Sequence, residues 1–456
     1  MDADAIVIGS GQAGVPLAAR LAGAGKRTIL VERSRLGGTC VNYGCTPTKT
    51  MVASARAAHV ARTAGRLGVQ AGSVRIDFPA IVARKDAIVR RWQDGVRKRI
   101  SGAGERLQLV EGHARFVSAN EIEVGSQRYR AGLIVIDVGV RPAVPEVEGL
   151  GGLPWLDNRR VMELSAVPRH LVVLGGGYIG CEFAQMFRRF GSDVTIVESM
   201  DRLMSHEDPE SSAALRGVFE SEGIELALGA KAASVSGTAD DLRVRLDSGG
   251  DVTGSHLLVA LGRRPNTDDL GCDAAGIARD PRGYIPVDDH YKTSAEGVYA
   301  VGDVTPGPQF THASWDDHRL LFDHLMGRPG RKRSERLIPI TAFTDPQVAR
   351  VGLTEEGAKK AGVAYEAATM PFGNIARAVE LDETAGTMKV LIDPRTERIL
   401  GASIVGAEAG ELIHVFVGLV SAGASARALV DAECVHPTFA EGLQTLVMKL
   451  KRYALR

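Results

Sequence analysis

Residues Asp4–Arg33 read DAIVIGSGQAGVPLAARLAGAGKRTILVER, which predicts a strand, a glycine-rich turn, a helix and a second strand. The turn is a GxGxxG of Gly9, Gly11 and Gly14, and the second strand ends at Glu32, 23 residues after the first glycine. In such a unit the glycines permit a tight turn, close approach of a diphosphate and packing of helix on strand, while the acid binds ribose hydroxyls. We therefore predict a dinucleotide site here.

A second copy of this plan follows 166 residues later, in HLVVLGGGYIGCEFAQMFRRFGSDVTIVES (His170–Ser199). Its glycines are Gly175, Gly177 and Gly180, and Glu198 again lies 23 residues after the first. Each copy follows an apolar strand and opens a helix, which is the context that the motif requires. Two dinucleotides are expected in one chain, and the alternative is a pair of glycine-rich turns without a ligand.

The rest of the chain predicts the domain organisation. The Pro- and Gly-rich Arg141–Trp155 and the turn Gly262–Thr267 predict crossings out of and back to the first nucleotide domain. After the basic Gly327–Arg336, the alternating pattern of Gly386–Gly406 is typical of an antiparallel hairpin. We predict an α/β fold with two Rossmann-like dinucleotide-binding domains and a C-terminal α+β domain, divided into residues 1–145, 146–265, 266–335 and 336–456.

The composition is that of an ordinary globular protein, with 45% hydrophobic and 24% charged residues. Fifty-five basic residues balance fifty-five acidic ones, so no net field favours nucleic acid or an anionic membrane. There is no uninterrupted apolar run of about 18 residues or more, and the opening MDADAIVIGS has no basic segment typical of a signal peptide. We expect a cytoplasmic protein that binds neither nucleic acid nor a membrane.

Two of the five cysteines, Cys40 and Cys45, lie close together in GGTCVNYGCTPTKT (Gly37–Thr50). Paired thiols in a reducing compartment are usually catalytic or metal-binding. No second CxxC or His/Cys cluster accompanies them, so we expect no metal. Residues five apart in a helix have Cα atoms about 9 Å apart, beyond the disulfide limit of about 7 Å. They can bridge only across an unwound turn, and two unrelated buried thiols stay the alternative.

Two further patterns place titratable residues at element ends. GVYAVGDVT is an apolar strand ending in Gly302 and Asp303, where a carboxylate can bind hydroxyls or stabilise a turn. In CVHPTFAEG, a proline follows His436, and Glu441 lies five residues after the histidine. A histidine with a carboxylate partner can act as an acid or base, although a lone histidine is more often structural. Spacing alone leaves both alternatives open.

Together these residues resemble the class I pyridine nucleotide-disulfide oxidoreductases, which include glutathione reductase, dihydrolipoamide dehydrogenase and mercuric reductase. The resemblance covers essentially the whole chain. TPTKT (Thr46–Thr50), GDVTPGPQFTHASWDDHR (Gly302–Arg319) and FTDPQVARVGLTEE (Phe343–Glu356) look most like the mercuric reductase-like and reactive-chlorine-resistance branch. The resemblance implies that residues 1–145 and 266–335 bind FAD, 146–265 bind NADH or NADPH, and 336–456 form a dimerisation domain.

The resemblance also implies catalytic roles. Cys40 and Cys45 would form the redox disulfide, with Cys45 as the charge-transfer thiol against the flavin and Cys40 attacking the substrate. Lys49 matches the family lysine near the flavin, and Glu182 matches its ion-pair partner.

His436 and Glu441 match the HPTxxE pair that enters the active site from the other subunit, which implies a homodimer with shared active sites. Tyr178 matches the aromatic gate that some members place over the flavin. The cofactor-binding residues implied by the resemblance are Gly9, Gly11, Gly14, Glu32, Gly38, Thr39, Gly302 and Asp303 in the FAD region, and Gly175, Gly177, Gly180, Glu198 and Gly262 in the nicotinamide region.

The activity so implied is that of an FAD-dependent NAD(P)H:disulfide oxidoreductase that reduces a small disulfide or another oxidant. NADH is expected to be preferred, because Glu198 would repel the 2′-phosphate of NADPH. The alternatives are dihydrolipoamide dehydrogenase, a mercuric reductase-like enzyme without a C-terminal cysteine pair, and a nucleotide-binding sensor on the same fold.

Three departures from the family bear on the substrate and the flavin. Mercuric reductases carry a C-terminal vicinal cysteine pair, whereas residues 446–456 read LVMKLKRYALR, without cysteine. Ala19 aligns with the arginine that holds glutathione in glutathione reductases. The family's usual ATG turn is DVG here (Asp137–Gly139). We therefore expect neither efficient glutathione disulfide reduction nor efficient Hg(II) reduction, and the flavin contact at Asp137 is left open.

Overall fold

The computed structural model describes residues 1–238 and 240–453. The chain divides into two compact units of three segments each. The first contains Met1–Thr50, Val82–Ala143 and Gly262–Arg336, and the second contains Met51–Ile81, Val144–Leu261 and the chain from Leu337 onward. The predicted α/β class, with two Rossmann-like sheets and a C-terminal α+β domain, is confirmed. The four-part division at residues 145, 265 and 335 stays a prediction.

The described residues form strands and α-helices that alternate in some parts of the chain and follow one another in runs of one type in others. The strands are β1 (Asp2–Ile8), β2 (Thr28–Glu32), β3 (Leu107–Glu111), β4 (Ala114–Ser118), β5 (Glu121–Val124), β6 (Gln127–Ile136), β7 (Val140–Pro142), β8 (His170–Leu174), β9 (Asp193–Glu198), β10 (Ile224–Leu228), β11 (Ala232–Thr238), β12 (Asp241–Leu246), β13 (Asp251–Gly254), β14 (His256–Val259), β15 (Arg263–Pro265), β16 (Val298–Ala300), β17 (Ile340–Ala342), β18 (Gln347–Gly352), β19 (Glu366–Pro371), β20 (Thr387–Ile392) and β21 (Ile399–Gly406). The α-helices are α1 (Gly14–Gly23), α2 (Gly38–Tyr43), α3 (Cys45–Thr63), α4 (Phe78–Gly102), α5 (Tyr178–Phe190), α6 (Pro209–Ser221), α7 (Thr311–Leu325), α8 (Glu355–Lys360), α9 (Ala376–Glu380), α10 (Ala409–Ser421), α11 (Arg427–Val430) and α12 (Glu441–Met448).

The first unit is built on a sheet in the order β3-β2-β1-β6-β5-β4, with β16 also paired to β6. β1, β2, β3, β6 and β16 are parallel, so their carboxyl ends meet at one edge. Ligands of such sheets bind at that edge. The first glycine turn follows β1 here, and the Gly-Asp sequence follows β16.

Alternating residues of β1 face two separate cores, because successive strand side chains point to opposite faces. Ala5 and Val7 belong to the core that contains α1 and α7, whereas Ile6 and Ile8 belong to the core on the other face. Leu21 of α1 is fully buried in the first core, so truncation to alanine should cost about 2–5 kcal/mol of folding stability.

The second unit contains three sheets. The parallel sheet β10-β9-β8-β14 repeats the β1–α1–β2 plan through β8, α5 and β9, and β11-β12-β13 is a small antiparallel sheet. The C-terminal part has the antiparallel order β17-β18-β21-β20-β19. The hairpin predicted for Gly386–Gly406 is confirmed as β20 and β21. Within residues 1–238 and 240–453, no helix combines the length and the apolar character needed to cross a bilayer.

Candidate active site

The first glycine turn joins β1 to α1 through very close packing. Gly9 has a φ of +107°, and a Cβ on Gly14 would lie 2.0 Å from the carbonyl oxygen of Gly9. Only glycine permits that approach. Because α1 begins at Gly14, the positive end of the helix dipole lies at this turn and favours an anion. The turn therefore fits the diphosphate of a dinucleotide.

Glu32, at the end of β2, is fixed against this turn. Its Oε2 accepts hydrogen bonds from the N–H and the Oγ–H of Ser10 at 3.0 and 2.6 Å, and its Oε1 accepts one from the N–H of Ser34 at 2.8 Å. The acid and the turn thus form one hydrogen-bonded unit. Sequence analysis did not identify Ser10, because its role depends on contact with a residue 22 positions away.

The second glycine turn repeats this geometry in the second unit. A Cβ on Gly180 would lie 1.9 Å from the carbonyl oxygen of Gly175. Oε2 of Glu198 accepts the N–H of Gly176 at 2.6 Å, and Oε1 accepts the N–H of Met200 at 2.8 Å. The two turns are therefore structurally equivalent, as predicted from the sequence repeat.

Gly38 brings α2 against the first turn. Its φ is +62°, and a Cβ there would lie 2.9 Å from the Cα of Gly11. Thr39 follows it in α2. Gly262, which begins the last segment of the first unit, precedes β15 with a φ of +111°. Cofactor contact by these three residues, Gly38, Thr39 and Gly262, stays a prediction.

The two cysteines lie at a break between helices. Cys40 is in α2, Cys45 is the first residue of the 19-residue α3, and Gly44 separates them with a φ of −122° and a ψ of −123°. This break is the unwound turn that close approach of the two sulfurs requires. Both are free thiols in this structure. The N-terminus of α3 favours a thiolate at Cys45, because the helix dipole is positive there.

Thr311, the first residue of α7, lies beside the cysteine pair. Its Oγ1 is 3.1 Å from the Sγ of Cys45. The hydrogen bond between the two sulfurs, burial and the charge of Cys45 raise the pKa of Cys40, although the Thr311 hydroxyl opposes this shift. The raised pKa of Cys40 is consistent with Cys45 as the charge-transfer thiol, a role that stays a prediction. Thr311 was not predictable as a neighbour of the cysteines, because it begins a helix 266 residues after Cys45 in the chain.

Lys49 and Glu182 lie in different units. Lys49 is one turn after Cys45 on α3, since residues four apart share a helix face. Glu182 of α5 is buried, and its carboxylate accepts the N–H of Phe343 at 2.8 Å. The predicted ion pair between Lys49 and Glu182 stays a prediction.

The Gly-Asp sequence after β16 forms a short 3-10 turn, Gly302–Val304. The N–H of Gly302 donates to Oδ2 of Asp317 at 2.7 Å, and Oδ1 of Asp303 accepts the hydroxyl of Ser314 at 3.1 Å. Burial raises the pKa of Asp303. A carboxylate thus lies at the carboxyl end of a parallel strand, where it can bind ribityl or ribose hydroxyls.

Tyr178, the first residue of α5, follows Gly177 of the second turn. Its hydroxyl donates to Oε1 of the buried Glu207 at 2.5 Å, and Nε of Arg350 donates to Oε2 at 2.8 Å. Burial and the charge of Glu207 raise the pKa of Tyr178. The structure thus identifies an anchor that sequence analysis did not find, while the gating role of Tyr178 stays a prediction.

His436 and Glu441 are paired within the second unit. Nδ1 of His436 lies 3.1 and 2.9 Å from the two carboxylate oxygens of Glu441, which begins α12. A carboxylate at this distance places the proton on Nδ1 and leaves the lone pair on Nε2. The imidazole is 70% exposed, so it is open to a partner.

Two further cysteines lie close to candidate site residues in the sequence, Cys181 beside Glu182 and Cys434 two residues before His436. Burial raises the pKa of Cys181, whose thiol donates to the carbonyl of Gly176 at 3.3 Å. Cys434 is half-buried. Among the residues that the structure describes, no group of three or more His, Cys, Asp or Glu side chains has a metal-binding arrangement. Of the cysteine-free tail, residues 454–456 lie outside the described residues.

Residues 3–317 match the profile of the pyridine nucleotide-disulphide oxidoreductases, and residues 338–447 match the dimerisation domain of the same family. A dihydrolipoyl dehydrogenase of Thermus scotoductus is 35% identical over 99% of this chain and 98% of its own length. A mercuric reductase of Lysinibacillus sphaericus is 33% identical over 97% of this chain and 81% of its own. The Cu(II) complex of the HOCl-induced flavoprotein disulfide reductase RclA from Escherichia coli is similar with a TM-score of 0.90 at 33% identity, covering 98% of this chain and 99% of that one.

Proposed function

This chain belongs to the pyridine nucleotide-disulphide oxidoreductase family, and on that premise we propose that it transfers electrons from NADH through FAD to Cys40 and Cys45 and on to a small disulfide or another oxidant. FAD and a pyridine nucleotide are the cofactors of this family. The observation that carries the proposal is the position of Cys45 at the start of α3, beside Thr311 and hydrogen-bonded to Cys40.

The two glycine turns provide the cofactor sites of this proposal. FAD would bind at the first turn, where Glu32 would hold its adenosine ribose and Asp303 further hydroxyls, and the nicotinamide coenzyme would bind at the second turn. When bound, FAD accepts two electrons from the nicotinamide and passes them to a disulfide. Both turns offer helix N-termini and a fixed carboxylate, which is what this binding mode requires.

The two cysteines have different roles in this proposal: Cys45 holds a negative charge, and Cys40 is the nucleophile. In the reduced pair Cys45 holds the negative charge, so Cys40 must lose its proton before it can attack. The Cys40 thiolate then attacks one sulfur of the substrate, forming a mixed disulfide and releasing the first thiolate. Cys45 attacks the sulfur of Cys40, restoring the intramolecular disulfide and releasing the second thiolate. Two electrons have passed to the substrate, and two protons complete both thiols.

His436 is the base and acid of this proposal. Its Nε2 takes the proton of Cys40 and returns it to the departing thiolate, while Glu441 holds Nδ1 and stabilises the imidazolium. We assign this pair to the partner subunit of a homodimer. The match to the dimerisation domain supports the assignment, as do the exposed imidazole and the neighbouring Val435, which is 74% exposed in the single chain.

Glu198 supports the choice of NADH over NADPH. Its carboxylate is held at the end of β9, where it would bond a 2′-hydroxyl and repel a 2′-phosphate. Arg202 is the nearest downstream arginine, and its guanidinium donates to Glu356 at 3.1 Å and to the carbonyl of Ser205 at 3.2 Å. A cation that is already engaged in these contacts competes poorly for a 2′-phosphate.

Dihydrolipoamide dehydrogenase is the second candidate function. The 35% identity with the Thermus scotoductus enzyme over nearly the full length of both chains favours it, and so does the His436–Glu441 pair. A mercuric reductase-like activity is the third candidate; the 33% identity with the Lysinibacillus sphaericus enzyme supports it, whereas the cysteine-free C-terminal segment argues against efficient Hg(II) reduction. A cytoplasmic location is proposed with all three, since the pair needs free thiols during turnover.

A substrate panel with NADH tests the proposed function. Purified enzyme would be assayed with small disulfides, lipoamide, quinones, Hg(II) and Cu(II), and at least one disulfide should be reduced with kcat/KM of about 10⁴ M⁻¹s⁻¹ or more. Cys40→Ser should lose that activity yet still pass electrons from NADH to an artificial acceptor that oxidises the flavin. Cys272→Ala, which removes a buried thiol elsewhere, is the matched control. Disulfide reduction by Cys40→Ser at the wild-type rate would refute the proposal.

A further inference from the structure

The carboxyl group of Asp137 lies directly on the first glycine turn. Its Oδ2 accepts the N–H of Gly14 at 2.7 Å. A Cβ on Gly11 would lie 2.7 Å from Oδ2, and a Cβ on Gly302 would lie 2.7 Å from Oδ1. The side chain is therefore packed against two glycine Cα atoms and is only 7% exposed. The family's usual residue here is the alanine of ATG, which has no charge.

This position is where a cofactor diphosphate is expected. The N–H of Gly14 is one of the first amides of α1, which have no partner inside the helix and which a phosphate would otherwise bind. An ionised Asp137 would put a third negative charge beside the two of a diphosphate, in surroundings from which water is largely excluded. A protonated Asp137 could instead keep the Gly14 bond on one oxygen and donate its O–H to a phosphate oxygen.

The groups that face Asp137 from the neighbouring elements are acidic. They are Glu32 at the end of β2, Asp303 after β16 and Asp317 of α7, and Arg336 is already paired with Asp317 at 2.6 Å. Burial raises the pKa of Asp137 well above its ordinary value, the helix amide opposes this shift, and the three carboxylates reinforce it. Each of these acidic charges therefore raises the pKa of Asp137, as the charge of a bound diphosphate would.

We propose that Asp137 is a positioning residue for FAD that must hold a proton when the cofactor is bound, so that FAD binding takes up a proton and weakens as the pH rises. This inference rests on the proposed placement of FAD at the first turn. It goes beyond the disulfide chemistry, because it concerns retention of the flavin. Loss of the proton converts a hydrogen-bond donor into a charge that repels the diphosphate.

Direct binding of FAD to apoenzyme tests the inference without turnover. Isothermal titration from about pH 6 to about pH 9 should show the wild-type Kd rising by up to about tenfold per pH unit above the pKa of Asp137 in the apoenzyme. Titrations in buffers of different ionisation enthalpy should show uptake of up to about one proton per FAD at the alkaline end. For Asp137→Asn, the Kd for FAD should not change with pH, and at the alkaline end it should be at least about tenfold lower than the wild-type Kd. FAD binding to this variant should involve no proton uptake at residue 137.

The matched control is Asp94→Asn, the same chemical change at an exposed position of α4, which should keep the wild-type pH dependence. If Asp137→Asn fails to fold, Asp137→Ala can replace it, since alanine is the family's uncharged residue here. Its Kd for FAD should likewise not change with pH. Equal pH profiles and equal proton uptake for wild type and the Asp137 variant would overturn the inference while leaving the proposed function intact. Absence of FAD binding by all variants and by wild type would instead overturn the proposed function.

Discussion

The amide nitrogen of Gly176 lies 2.6 Å from Oε2 of Glu198, so the second residue of the second glycine turn fixes the acid that ends β9. The other oxygen of Glu198 is held by the N–H of Met200 at 2.8 Å. A carboxylate restrained from both sides cannot easily turn away from a ligand. It therefore presents a constant negative charge where the coenzyme ribose is expected.

We predict that kcat/KM is higher for NADH than for NADPH and that Glu198→Ala narrows the difference. Loss of a charged hydrogen-bond partner costs about 1.5–3 kcal/mol, which corresponds to a decrease of roughly 10- to 150-fold in kcat/KM for NADH. Glu356→Gln is the companion variant. It weakens the ion pair that engages Arg202, so it should raise kcat/KM for NADPH. A wild-type enzyme with the higher kcat/KM for NADPH would contradict this account of coenzyme choice.

Glutathione disulfide and Hg(II) should be poor substrates. Ala19 of α1 cannot supply the cation that glutathione reductases use to hold glutathione, and no vicinal cysteine pair follows Cys434 in this chain. Initial rates with NADH should give kcat/KM below about 10⁴ M⁻¹s⁻¹ for both. A higher value for either substrate would show that another surface of the protein provides the missing contact.

Hybrid dimers should recover activity that neither parent has. Cys40→Ala and His436→Ala should each be nearly inactive in disulfide reduction. Unfolded together and refolded with FAD, they should pair at random, so about half the dimers are hybrids with one intact site each and about a quarter of wild-type activity returns.

Mass spectrometry of the refolded mixture must show that hybrids have formed. Each parent refolded alone is the control and should remain inactive. If hybrids form and no activity returns, then His436 serves its own subunit, and the shared active site is wrong.

The buried ion pairs of Asp345 should contribute to stability and make it depend on pH. Its carboxylate lies 2.6 Å from both Arg189 and Arg56. Burial alone would raise the pKa of Asp345, but the two guanidinium groups outweigh it and the pKa is lowered. A lowered pKa adds stability above the unfolded-state value of about 3.9, and that stability is lost as the pH falls through the folded value.

Asp345→Asn should therefore lower the free energy of unfolding by about 3 kcal/mol at neutral pH, with a smaller difference in acid. Denaturant titration at several pH values measures this. Asp431→Asn, which breaks an exposed pair with Arg427, should cost less than about 1 kcal/mol. If Asp345→Asn lowered the free energy of unfolding by the same amount at every pH, the stabilisation by Asp345 would not be electrostatic in origin.

Both glycine turns and their acids could be predicted from the sequence, because strand, turn, helix and acid follow one another in one short segment. The hairpin of β20 and β21 was predictable for the same reason. Thr311 and the anchor of Tyr178 by Glu207 could not be predicted, since each depends on a contact between residues distant in the chain. These contacts are hydrogen bonds between polar side chains, which leave no periodic apolar pattern in the sequence. Residue spacing alone therefore does not reveal them.

The arrangement of the cysteine pair could be predicted from the sequence only in part. Its spacing predicted that the two residues could form a disulfide only across an unwound turn, and Gly44 provides such a break. The spacing did not show which sulfur would hold the charge. The family resemblance assigned the charge to Cys45; this assignment stays a prediction, which the start of α3 at Cys45 and the raised pKa of Cys40 support.

Anaerobic reduction of the FAD-loaded enzyme by one equivalent of NADH, followed by visible spectroscopy, tests the central claim most directly. We predict a long-wavelength charge-transfer band for wild type, because Cys45 would hold a thiolate against the oxidised flavin. Cys40→Ser should show this band without any reduction, and Cys45→Ser should not show it at all. Identical spectra for Cys40→Ser and Cys45→Ser would contradict the account, since the two cysteines would then have no separate roles.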